Sequence, residues 1–120
     1  MVGPENRKNN IQALHIYKTF PGVNALSDVS FDLRQGEIHC IVGENGAGKS
    51  TFIKILTGSY RPDSGELIVH SKSYKYLTPY LSQTLGIQVI YQENIVVPQM
   101  TVAENVFVGR EKASRFGLIR

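Results

Sequence analysis

A chain of 120 residues can bury a core of its own but is short for two domains, and its 42% hydrophobic and 19% charged residues, free of repeats and low-complexity tracts, argue against disorder. The net charge of +3 is scattered rather than gathered into a basic patch, so no nucleic-acid partner is expected. No run approaches the ~20 apolar residues of a membrane span, and Met1 to Asn10 is polar where a secretory signal would be apolar.

After that polar lead (1–12), Ala13 to Tyr17 suits a short strand, and Pro21 to Asn24 has the chemistry of a turn. Val29, Phe31 and Leu33 alternate with Ser30, Asp32 and Arg34, the period of a half-buried strand. Ile38 to Val42 is mostly apolar, which predicts a strand covered on both faces, with His39 and Cys40 in the core and Cys40 a reduced thiol. A glycine-rich loop follows at once. Phe52, Ile53, Ile55 and Leu56 then recur at helical spacing, with Gly58 placed to end the helix. Pro62 to Gly65 predicts a turn and Leu67 to Val69 a short strand, followed by a loop and a short helix before Gly86. Ile87 to Tyr91 reads as a further buried strand. Thr101 with Glu104 three residues on predicts a capped helix start.

Gly43 to Thr51 reads GENGAGKST and fills the pattern G-x-x-x-x-G-K-[ST] without mismatch. Backbone N–H groups converge on a phosphate only where side chains do not obstruct the chain, which gives Gly43, Gly46 and Gly48 a geometric role, with Glu44, Asn45 and Ala47 completing the loop. The helix that starts near Lys49 adds unpaired N–H groups and the positive end of its dipole. Lys49 brings a full charge to the β- and γ-phosphates, Ser50 a hydroxyl suited to Mg²⁺, and Thr51 a hydroxyl near the α-phosphate. A glycine turn with a helix cap is the plainer reading, but the loop sits between an apolar run and an amphipathic helix. Nucleoside triphosphate binding is the expectation.

The stretch RQGEIHCIVGENGAGKSTFIKILTGSYRPDSGEL resembles the opening of the ATP-binding cassette subunits of transporters. Tyr91 to Glu111, YQENIVVPQMTVAENVFVGRE, is similar to the segment after the Q-loop glutamine in importers of simple sugars, and nucleoside importers are close cousins. The resemblance implies an α/β fold: a P-loop NTPase core with an antiparallel β subdomain, of which 13–111 would form the N-terminal part and 112–120 an unfinished tail. It implies that Phe20 stacks on adenine, with Tyr17 as rival and an edge-of-core role as the alternative, and that Gln92 reaches Mg²⁺ or the attacking water. Glu93 would serve partner contact or loop structure.

ATP and Mg²⁺ are the implied ligands. Transmembrane permease subunits, a second cassette and, indirectly, a periplasmic or extracellular solute-binding protein are the implied partners, at the cytoplasmic face of a membrane. His70 to Ser73 stands where the family often has a glycine turn. No LSGGQ-type signature, Asp-Glu strand or switch histidine follows Glu111. The chain is therefore expected to supply half of a hydrolytic site, to bind ATP–Mg²⁺ weakly and to turn it over slowly or not at all. Another P-loop enzyme class, or a nucleotide-binding module complete at this length, stays open as an alternative, though a guanine-reading N-K-x-D motif is lacking.

Overall fold

The computed structural model describes residues 9–44, 46, 48–91 and 96–107, which fall into two units divided between Val89 and Ile90. In the first unit, β1 (Asn9–Phe20) and β2 (Val23–Arg34) form a long antiparallel hairpin closed by Pro21 and Gly22, with Phe20 opposite Val23. Strand β3 (Ser64–Val69) pairs with the other edge of β1, and β4 (Lys72–Tyr74) pairs with β3, giving the order β2-β1-β3-β4. Helix α1 (Lys49–Leu56) and helix α2 (Pro79–Thr84) complete the unit.

The core is the inward set of these elements: Ala13 and Ile16 from β1, Leu26 from β2, Leu67 and Val69 from β3, Phe52, Ile55 and Leu56 from α1, and Leu77. Alternation along β2 falls as its sequence predicts, with Val29, Phe31 and Leu33 half-buried between exposed neighbours. In α1, Phe52, Ile55 and Leu56 face inward while Ile53, one position away from that stripe, is exposed. The helix ends as expected at Gly58, whose N–H donates to the Ile55 carbonyl. The Ser82 hydroxyl, fully buried, donates to the Leu56 carbonyl and satisfies an acceptor that a helix end leaves unpaired.

His70 and Ser71, standing where a glycine turn is usual, make a two-residue hairpin loop with both residues at positive φ (49° and 68°). Neither residue favours that conformation. The His70 N–H donates to the Asn10 carbonyl, and its Nε2 lies 3.0 Å from the Leu85 carbonyl, so tertiary contacts hold the turn. Strand β4, within the stretch expected to be a loop, is the consequence. The short helix before Gly86 is present as α2, with Thr78 as N-cap accepting from the Leu81 N–H.

Two expected strands do not form. Residues 38–42 and 87–91 carry no ladder, and Ile38, Val42 and Ile90 are 94%, 88% and 95% exposed. Apolar β-runs of this kind need a neighbour on each side and cover on both faces, and no strand among the described residues pairs with either. Cys40 is accordingly exposed rather than in the core. His39 is also not buried; its ring meets Phe31 edge-on at 4.7 Å between centroids.

In the second unit, α3 (Val102–Phe107) starts as its sequence predicts. The Thr101 N–H donates to the Glu104 carboxylate at 2.7 Å, and the Glu104 N–H donates back to the Thr101 hydroxyl at 3.3 Å. The Thr101 N–H, then the Thr101 hydroxyl, hold the Glu104 carboxyl below its ordinary value of 4.5. A depressed carboxyl pKa stabilises the helix start above the ordinary value and ceases to do so as pH falls through the folded one. We expect the Thr101 amide resonance to titrate with a midpoint below 4.5, and α3 to fray on the acid side of it. A midpoint above 4.5 would contradict the cap, and Glu104→Gln should abolish the titration.

Candidate nucleotide-binding site

The site forms where the tip of the β1–β2 hairpin meets the start of α1. Phe20, Val23 and Ala25 from the hairpin and Gly46, Gly48, Lys49, Ser50 and Thr51 from the loop and helix line one open cavity of about 230 Å³. Gly48 is the helix N-cap, at φ 93°, and supplies no side-chain cap, which leaves the first N–H groups of α1 for an incoming acceptor. A Cβ on Gly48 would lie 2.5 Å from the Ala25 carbonyl oxygen and 2.8 Å from Leu26 Cδ2. The close approach of loop to sheet that forms the cavity wall therefore requires glycine.

Lys49 is the only charged residue among the described residues that line the cavity. Its ammonium donates to the Gly43 carbonyl, so the charge is folded back across the loop onto a neutral acceptor. A phosphate oxygen is a stronger acceptor for an ammonium than a carbonyl, and the lysine can exchange one for the other. The arrangement thus offers a cation, helix N–H groups with no acceptor among the described residues, two hydroxyls and an aromatic ring around one space. That set suits a phosphorylated ligand with a planar ring system.

Of the residues singled out from sequence, the structure brings Phe20, Gly46, Gly48, Lys49, Ser50 and Thr51 together, and Gly43 joins them through Lys49. Tyr17, the rival to Phe20, is not among the lining residues. Asn45, Ala47 and Gln92 lie outside the described residues; Glu44 is exposed. Val23 and Ala25 were not anticipated. Their signal was the length of β2: once it begins at Val23 rather than near Val29, the residues just after the turn must stand beside Phe20.

The model of the ABC transporter family matches residues 26–119. This chain belongs to the ABC transporter family. A ribose import ATP-binding protein of Streptomyces avermitilis is 56% identical over 104 residues, covering 87% of this chain and 20% of its own length. An arabinose import ATP-binding protein of Pseudomonas syringae pv. tomato is 54% identical over the same length, with the same coverage. The chain thus spans about a fifth of the length of the curated relatives it matches. Among solved structures, a nucleotide-free ATP-binding cassette from an ABC transporter superposes with a TM-score of 0.58 at 32% identity, covering 60% of this chain and 28% of the other. A bacterial exporter of the same superfamily with ATP bound gives 0.69 at 25% identity, covering 92% and 19%. The fold is that of the N-terminal portion of an ABC nucleotide-binding domain, its antiparallel sheet lying beside the glycine-rich loop that precedes α1. No helix among the described residues is long and apolar enough to cross a membrane.

Proposed function

We propose that the chain binds ATP through the cavity between the hairpin tip and α1 and that, within a longer protein, this binding drives import of a simple sugar. The observation that carries the reading is the convergence of Phe20, Gly48, Lys49, Ser50 and Thr51 on one cavity from two separate stretches of chain. In it Lys49 holds the β- and γ-phosphates, the N–H groups of the loop and of α1 bind phosphate oxygens, and Thr51 bonds near the α-phosphate. Phe20 stacks on the base. Ser50, with Gln92 assigned by its motif alone, would hold Mg²⁺, which supplies charge neutralisation across the phosphates. Lys49 and Gln92 carry the catalytic roles that this stretch contributes.

The sugar reading comes from the ribose and arabinose import relatives. In such an assembly the partners are a transmembrane permease, a second cassette that closes over the nucleotide, and a solute-binding protein on the far side of the membrane. The chain would then sit at the cytoplasmic face.

Calorimetry with ATP, GTP and AMP tests the nucleotide reading. Stacking on one aromatic ring discriminates weakly between purines, so ATP and GTP should bind within about tenfold of each other. AMP, which lacks the phosphates that Lys49 engages, should bind at least ~30-fold more weakly, as expected for a lost charge-assisted contact. Equal binding of AMP and ATP, or no heat with ATP, would overturn it.

A further inference from the structure

The ring of Phe20 meets two side chains that do not line the cavity. Tyr60, in the connection between α1 and β3, meets it edge to face with centroids 5.4 Å apart, and the Lys18 ammonium stands 5.2 Å from its centroid. Neither Tyr60 nor Lys18 lines the cavity, whereas Phe20 does. The chain entering Phe20 is fixed as firmly as the ring. One Asp63 carboxylate oxygen accepts from the Thr19 N–H at 2.7 Å and the Thr19 hydroxyl at 3.0 Å, while the other lies 3.4 Å from the Lys18 ammonium. The Asp63 N–H in turn donates to the Tyr17 carbonyl at 2.8 Å. Residues 17–19 are thus bonded to a single aspartate, and the residue after them is the one facing the cavity. The Thr19 N–H foremost, then the Thr19 hydroxyl, hold the Asp63 carboxyl below its ordinary value, as a carboxylate with its acceptor capacity in use should be. Tyr60 is itself braced: its N–H donates to the Lys54 carbonyl, and the Lys54 ammonium lies 5.1 Å from its ring centroid.

We propose that Tyr60 and Asp63 are positioning residues for the base-stacking ring: the α1–β3 connection sets the plane of Phe20 and thereby the affinity for the base, while leaving the phosphate cradle untouched. This rests on the reading of the cavity as a nucleotide site. A ring free to rotate pays an ordering cost when a base stacks on it; one already clamped by an edge-on aromatic and a cation does not. Among the described residues, no hydrogen bond or ring contact joins Tyr60 or Asp63 to the cradle at Gly48 to Thr51.

The test separates base from phosphate. Tripolyphosphate engages only the cradle, and ATP engages both. Tyr60→Leu keeps the apolar volume but removes the aromatic edge, and should weaken ATP binding about three- to tenfold, the worth of one aromatic pair, while tripolyphosphate binds as in the native chain. Tyr60→Phe should restore ATP affinity, because the edge and not the hydroxyl meets Phe20. Asp63→Ala provides an independent arm through the backbone, with the same selective loss expected. Unchanged ATP affinity in both Tyr60→Leu and Asp63→Ala overturns the proposal. Equal loss of ATP and tripolyphosphate also overturns it, since that marks a general effect on the fold. If the native chain binds tripolyphosphate and ATP equally well, no base is being read and the inference fails while the phosphate site stands. If it binds neither, the nucleotide reading itself has failed.

Discussion

Lys49→Ala should lower ATP affinity by about 30- to 150-fold, corresponding to the ~2–3 kcal/mol of a hydrogen bond to a charged group, and should leave thermal stability within about 0.5 kcal/mol of the native chain. The two parts have separate reasons. Lys49 is the only charged side chain among the described residues lining the cavity, so nothing described there replaces its charge against a triphosphate. Its partner in the free chain, the Gly43 carbonyl, belongs to an exposed residue, and water satisfies that oxygen when the ammonium is gone. The alanine also starts a helix well. Calorimetry with ATP and tripolyphosphate beside a thermal melt reads both parts: the two ligands should lose affinity together, because Lys49 serves phosphate and not base. Binding within threefold of native would remove Lys49 from the site, and a collapsed melt would make it a structural residue.

How far the sequence foretold this depended on how local each signal was. The cradle was legible because its parts lie within nine consecutive positions and each has a local cause: glycine for a tight approach, lysine for charge, hydroxyls at the mouth of a helix. The same holds for α1, where Phe52, Ile55 and Leu56 keep the helical period, and for α3, where Thr101 and Glu104 bond to each other across three residues. Phe20 was reachable only by resemblance. Nothing in KTFPGVNAL states that the ring will meet residues some thirty positions later, and it does so because the hairpin returns β2 beside the loop.

The runs at 38–42 and 87–91 depart from their expected strands for the opposite reason. Their composition describes a central strand of a parallel sheet, and that composition is a statement about neighbours rather than about the segment itself. Without laddering partners among the described residues, Ile38, Val42 and Ile90 lie open and Cys40 and His39 are not buried. The hairpin at His70 and Ser71 was hidden for a third reason: its left-handed residues are held by Asn10 and Leu85, contacts that no local rule for turns contains.

Gly48→Ala puts the geometric argument for the cradle at risk. Two costs coincide at this position. The backbone sits at φ 93°, where an L side chain is strained by roughly 1–2 kcal/mol. The new methyl would also stand 2.5 Å from the Ala25 carbonyl oxygen and 2.8 Å from Leu26 Cδ2, both in β2, with Leu26 in the core. A backbone oxygen cannot swing aside as a side chain can, so the loop must lift from the sheet or β2 must bend, a further cost on the order of 1–3 kcal/mol.

Gly46→Ala is the matched comparison, because it has a similar φ of 85° but nothing among the described residues lies within 4 Å of the added methyl. It bears only the conformational strain. Denaturant melts should therefore place Gly48→Ala below Gly46→Ala by about the clash, 1–3 kcal/mol. Tripolyphosphate affinity should fall at least about tenfold in Gly48→Ala, because lifting the loop moves its own N–H groups away from Lys49 and the first turn of α1. If the two variants melt together and bind alike, the approach of Gly48 to Ala25 carries no energy, and the cradle is shaped by backbone angle alone.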